Sequence, residues 1–201
     1  MSKRIVDRIC RIVLVSLMAA CNVGCHRTAI PSSASVAAED ENVVVFLHRE
    51  DTNEIPQVSL WVRHKETREE KRLLVSHPHA HREWQTYERS VRIPVDSIAT
   101  ISRVTIISYR DEPLKFLVEG CPDYRNMESF IVTENSSDAV CLPTTNGLIG
   151  VTQEESLLIM ESYDYYEGGG RYSRVEAYDR EGNLVSSMEP KLSIGQLSIN
   201  K

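Results

Sequence analysis

Residues 174–187 read RVEAYDREGNLVSS, and this stretch decides the fold class. Two short runs, 174–178 and 183–187, flank Asp179-Arg180-Glu181-Gly182. Gly182 stands where a tight turn needs a positive φ, so the stretch predicts a β-hairpin. Upstream the same pattern continues. Residues 43–48 (VVVFLH) form a β-branched and aromatic run, and residues 57–64 (QVSLWVRH) alternate, with Val58, Leu60 and Val62 on one face. Further strands are expected over 71–76, 84–93, 98–109, 115–118, 129–133 and 156–163. Pro56, Pro78, Pro94, Pro113, Pro122 and Pro143 fall between these runs, where strands tolerate them. No segment carries an apolar stripe of helical period over 11 or more residues, so helix is minor.

Short strands with turn signals between them predict an all-β domain, an antiparallel β-sandwich or barrel-like fold. The alternative is a partial propeller-like stack of small sheets. The segments holding Trp61, Phe116 and Val175 each join an apolar strand to a charged hairpin. Their local sequences do not repeat, and three blades are too few to close a propeller.

The chain of 201 residues allows one main domain. Its organisation is read as a signal peptide over 1–20, a lipidated cysteine and flexible tether over 21–41, and a single all-β domain over 42–201. The first part rests on three features. Lys3, Arg4, Arg8 and Arg11 form a positive region, residues 12–20 (IVLVSLMAA) are apolar, and small residues and a cysteine follow. That is the layout of a secretory signal, and the apolar run is too short to span a membrane as a helix, which takes about 20 residues. Residues 22–41 are small and polar, and Pro31, Ser32, Ser33 and Ser35 resist regular structure.

The end of the apolar run resembles the lipobox of bacterial lipoproteins, in which small residues precede a cysteine that is lipidated and becomes the new N-terminus. Two cysteines compete. Met18-Ala19-Ala20-Cys21 stays close to the family pattern, whereas Asn22-Val23-Gly24-Cys25 puts a polar residue where the family prefers Leu. Cysteine parity favours Cys25, since cleavage there leaves only Cys121 and Cys141 as a pair. Local sequence favours Cys21. The resemblance covers only these 25 residues. It implies export and tethering to a bacterial membrane through the N-terminal lipid. The residue after either cysteine is Asn22 or His26 and not Asp. In a Gram-negative cell this implies the outer membrane rather than the inner.

Charge narrows the partners. The whole chain carries 23 − 29 = −6. Removing residues 1–20 takes away Lys3, Arg4, Arg8, Arg11 and Asp7, which leaves 19 − 28 = −9. So acidic a domain is repelled by phosphate backbones, and nucleic acid is not an expected partner.

Four constellations invite a functional reading. His77, His79 and His81 alternate in SHPHAH, so an extended backbone would aim three imidazoles one way, a set that zinc accepts. Same-face neighbours sit about 7 Å apart, so sharing one ion needs a bend, which Pro78 could supply. The stretch resembles the His-rich motif of metallo-hydrolases, yet Ala80 replaces the Asp expected before the last His. A polar loop that is merely rich in His is the plainer reading. Cys121 and Cys141 could form a disulfide closing a loop of about 20 residues, or remain two separate buried thiols. Tyr163, Tyr165, Tyr166 and Tyr172 crowd around Gly168-Gly169-Gly170, a composition suited to an adaptable contact surface. Residues 63–72 (RHKETREEKR) alternate in sign, which marks a solvated hairpin and no anion site.

The chain has no G-x-S-x-G elbow, no H-E-x-x-H, no P-loop and no calcium loop. The expected function is therefore a non-catalytic binding module without a cofactor, engaging an envelope protein or polymer. The alternatives are a zinc-binding protein or metal-dependent enzyme at the His cluster, or an enzyme whose site is scattered through the sequence.

Overall fold

Thirteen strands arise from the alternating and β-branched runs, and the elements of the described residues are otherwise turns and one 3-10 turn, Val95–Ser97. The computed structural model describes residues 29–50, 56–78, 89–107, 113–123, 126–143, 147–152, 157–165 and 171–188. The first sheet runs β1 (Ser35–Glu39), β2 (Val43–Glu50), β3 (Gln57–His64), β4 (Glu70–Val75) in spatial order. The second holds β5 (Val91–Pro94), β6 (Arg103–Ile106), β7 (Lys115–Asp123), β8 (Asn126–Thr133) and β9 (Asp138–Cys141), ordered β5-β9-β8-β7-β6. The third runs β10 (Gly147–Val151), β11 (Leu158–Tyr165), β12 (Arg171–Tyr178), β13 (Leu184–Met188). All pairings are antiparallel.

The fold is thus all-β and sandwich-like, and no barrel closes among the described residues. Two separate cores show how the sheets stack. Val43, Val45, Leu60, Val62 and Leu74 of the first sheet meet Val104, Phe116, Val118, Phe130, Val132, Ala139 and Cys141 of the second. Leu117, Ile131 and Leu142 on the opposite face of the second sheet meet Leu158, Met160 and Tyr178 of the third. The second sheet is therefore the middle layer. Successive residues of a strand point to opposite faces, so β7 sends Phe116 and Val118 into one core and Leu117 into the other. β8 does the same with Phe130, Val132 and Ile131. A strand buried on both faces needs a continuous apolar run, and FLV (116–118) and FIV (130–132) supply it.

The propeller-like alternative is corrected in part. Trp61, Phe116 and Val175 do lie in three different small sheets. Those sheets form an open stack, because no core cluster of the described residues joins the first sheet to the third.

A second correction concerns the expected tether. Residues 35–39 form β1, an edge strand paired to β2 from Ser35↔Leu47 to Glu39↔Val44. Ser and Ala favour strands weakly, so the local sequence conceals it. The exposed edge of β2 and the packing of Ala38 against the first core hold it in place. Before it, residues 29–34 cross the outer face of the first sheet. Ile30 N–H donates to Glu70 Oε2 on β4 (2.9 Å), and Ser33 Oγ bonds the His48 ring on β2 (3.2 Å). The face they cross carries Phe46 and Trp61, exposed by only 9 % and 3 %. Arg63 stacks over Phe46 at 4.9 Å and Arg72 over Trp61 at 5.7 Å.

Glu70 fastens this strap, and it titrates. The Ile30 amide bonded to it, with help from Arg63, holds its carboxyl below the ordinary carboxylate range, against the opposing effect of burial. A depressed carboxyl pKa contributes stability above the unfolded-state value and loses it as the pH falls through the folded-state value. Acidification past the ordinary carboxylate range should therefore free the strap. Amide hydrogen exchange at Ile30 should accelerate under these conditions relative to amides of β3, and should already be fast at neutral pH in Glu70→Ala. Equal protection of Ile30 in both proteins would rule out this fastening.

The hairpins otherwise follow the sequence. The 174–187 stretch forms β12 and β13, and Gly182 takes φ +84°. Gly182 N–H bonds Asp179 O, and the Asp179 side chain accepts from the amides of Glu181 and Asn183. In the charged hairpin of β3 and β4, Arg63 pairs with Glu70 (2.7 Å) and Lys65 pairs with Glu39. Gly120 is needed for a different reason. A Cβ there would collide with the Thr100 backbone, which lies against β7.

Candidate functional site

The third sheet gathers the polar groups that the packing alone does not explain. β12 alternates, and its inward residues are Arg174, Glu176 and Tyr178, with Glu176 and Tyr178 buried. The register sets Ser162 of β11 opposite Arg174. Glu176 is satisfied from both sides. Arg174 Nε lies 2.9 Å from its Oε1, and Tyr178 Oη donates to its Oε2 at 2.8 Å. Arg174 Nε also donates to Ser162 Oγ at 3.1 Å. Burial, and then the Glu176 carboxylate beside it, push the Tyr178 phenol well above the ordinary tyrosine range, so it stays a protonated donor.

These three residues form one wall of a cavity of about 470 Å³ between the second and third sheets. Arg89 and Ser90, just before β5, Pro143, just after β9, and Gly182, Asn183 and Leu184 of the β12–β13 turn line it as well. Ser90 Oγ is bonded to Gly182 O, which ties the start of β5 to that turn. The cavity was missed in the sequence. Its one signal was the alternation of Arg174, Glu176 and Tyr178, a polar face where a hairpin over a core should be apolar.

A second polar centre joins the same two sheets. Glu119 of β7 is fully buried on the face toward the third sheet. It accepts from Arg103 Nη2 (2.8 Å) and Nε on β6, and from the Leu148 amide of β10 (2.9 Å). The carboxylate bonded to Arg103 raises that guanidinium's pKa further. With three structural donors on this carboxylate, two to Oε1 and one to Oε2, the pair is a fastening between layers.

The expected site residues fall out as follows. Tyr163, Tyr165 and Tyr172 lie in the ladder of β11 and β12, where Tyr163 pairs with Ser173, Asp164 with Tyr172 and Tyr165 with Arg171. Tyr166 lies outside the described residues. Among the described residues β10 pairs with β11 as far as Glu161, and β13 pairs with β12 as far as Val175. The pairs from Ser162↔Arg174 to Tyr165↔Arg171 therefore form a ribbon of two strands with no flanking strand among the described residues.

Of the His cluster, His77 is exposed and its N–H donates to Ile98 O at 2.8 Å. His79 and His81 lie outside the described residues. Among the described residues no three His, Cys, Asp or Glu side chains gather as a metal site. Cys21, Cys25 and the signal segment over 1–20 also lie outside. Among the described residues no helix is long and apolar enough to cross a membrane.

The disulfide expectation is corrected. Cys121 lies exposed on β7 and Cys141 buried on β9, and no bridge joins them. The intervening strand explains it. Cys141 pairs with Phe130 of β8, and Phe130 with Val118 of β7, three residues short of Cys121. Two strand spacings already exceed about 9 Å, beyond the roughly 7 Å that a disulfide spans between Cα atoms. No protein-family model, curated protein or solved structure matches the chain.

Proposed function

We propose that the protein is an exported, lipid-anchored binding module of the bacterial cell envelope. It acts without catalysis and engages an envelope protein or polymer through the ribbon of β11 and β12. The observation that carries this reading is the ribbon itself. Among the described residues its pairs from Ser162↔Arg174 to Tyr165↔Arg171 have no flanking strand, its strands hold Tyr163, Tyr165 and Tyr172, and Tyr gives large contact area at low entropic cost. The layout supports it too. Residues 29–34 run along the outer face of the first sheet, and the ribbon belongs to the third, so this N-terminal segment and the ribbon lie on opposite outer layers. The acidic charge of the chain argues against nucleic acid.

Both halves of the reading are testable in the full-length chain made in a bacterial host. Labelled fatty acid should enter the protein, and Cys21→Ser should abolish the label while Cys25→Ser keeps it. The reverse result would move the anchor to Cys25, and label in neither parent nor variants would end the lipoprotein reading. A photoreactive residue at position 166 should crosslink to an envelope component, and changing Tyr163, Tyr165 and Tyr172 to Ser should remove that crosslink. Crosslinking as strong from position 92 in β5, away from the ribbon, would remove the contact role.

A further inference from the structure

We infer that the cavity between the second and third sheets is a binding site for a small monocarboxylate, clamped by Arg89 and Arg174. The argument is one of unspent hydrogen-bonding capacity. Of the polar side chains in the wall, most are already occupied. Glu176 is ion-paired with Arg174 and accepts from Tyr178, the Tyr178 hydroxyl is spent on Glu176, and Ser90 Oγ is spent on Gly182 O. Asn183 Nδ2 donates to Asp179 Oδ2 at 2.8 Å. Apart from the Asn183 amide oxygen, the uncommitted capacity of these side chains is that of the two arginines, and it is all donor. Among the described residues Arg174 is engaged only through Nε, which leaves both Nη groups for a ligand. Arg89 makes no hydrogen bond or ion pair among the described residues, and it too lines the cavity.

Charge sets the class of ligand. Two guanidinium groups and one carboxylate give the wall a formal surplus of one positive charge, in a chain whose net charge is −6. A monoanion balances that surplus, whereas a phosphate dianion would overshoot it beside the buried Glu176. A carboxylate also matches the planar guanidinium fork, which binds it through two parallel bonds. Pro143, the ring of Tyr178 and Leu184 offer apolar surface to the rest of the molecule. The volume of about 470 Å³ falls in the ordinary range for small-molecule sites. Glu176 and Tyr178 act behind the clamp. They hold the Arg174 guanidinium at its Nε, so the Nη groups are not consumed by Glu176.

The test is calorimetric titration of the full-length protein with hexanoate, benzoate and N-acetylphenylalanine, each beside its primary amide. At least one acid should bind, and its amide should bind at least about tenfold more weakly. Arg89→Gln, a surface change that leaves the fold intact, should weaken the acid by about ten- to a hundredfold. Arg174→Gln should weaken it at least as much. Silence of all three acids, equal binding of acid and amide, or full affinity in Arg89→Gln would each overturn the assignment. The ribbon crosslink is read separately, so failure here leaves the proposed contact role standing and the converse also holds.

Discussion

Replacing Arg103 by methionine is expected to destabilise the protein by about 3–5 kcal/mol, the usual effect of stranding a buried charge. The reason is the asymmetry of its ion pair with Glu119. Arg103 is half in water, with 53 % of its side chain exposed, whereas Glu119 is fully buried. Losing the arginine leaves a carboxylate in the interior with only the Leu148 amide and its surroundings to oppose it. The converse change is milder. Glu119→Gln keeps an acceptor for Leu148 and leaves Arg103 to resolvate, so about 1.5–3 kcal/mol is expected, the range for a hydrogen bond to a charged group. Denaturant unfolding of both variants measures the difference. A methionine variant less affected than the glutamine variant would mean that Glu119 is not held as described.

The second large effect lies one core away. Phe116→Ala should cost about 3–5 kcal/mol, because it removes a fully buried ring from the first core and leaves a cavity that rigid strands fill poorly. Leu117→Ala, the very next residue, should cost about 2–5 kcal/mol through the other core. Each should act locally. Exchange protection should fall most in the first sheet for Phe116→Ala and in the third for Leu117→Ala, since stability is distributed in sub-global units. Equal loosening of both outer sheets in either variant would contradict two independent cores.

What was legible in the sequence follows from which forces are local. β3 matches its expected bounds, residues 57–64, because Val58, Leu60 and Val62 mark the face turned to the first core, while Ser59 and Trp61 between them are buried on the other face. The hairpin of β12 and β13 was legible because its turn needs a particular backbone conformation, which Gly182 announces. β7 was cut short at Val118, since Glu119 read as a strand end. Only the tertiary partners Arg103 and Leu148, from distant parts of the chain, keep that carboxylate inside. β1 and β9 were missed for a related reason. SVAAE and DAVC are short and small, and their places are set by neighbouring strands.

The site was less legible than the fold. The tyrosines of 163–172 stand out by composition, and the register of β11 and β12 adds what composition lacks, a two-stranded ribbon with no flanking strand among the described residues. The cavity left almost no trace. Arg89, Pro143 and Arg174 come together only because β9 brings the end of the second sheet against the third, and no local pattern encodes such a meeting. The pairing of Cys121 with Cys141 failed because sequence distance says nothing about the strand that lies between them.

The most direct test of the account is a pair of lysine substitutions at adjacent positions of β8, Ile131→Lys and Val132→Lys, each compared with the parent by thermal unfolding. In a middle layer both side chains enter a core, Ile131 toward the third sheet and Val132 toward the first, so both variants should unfold at much lower temperature or fail to fold. An outer layer would tolerate one of the two, because alternate residues would then face water. Loss in both is the result predicted by a stack with the second sheet as its middle layer. A near-parental melting temperature for either variant would contradict it.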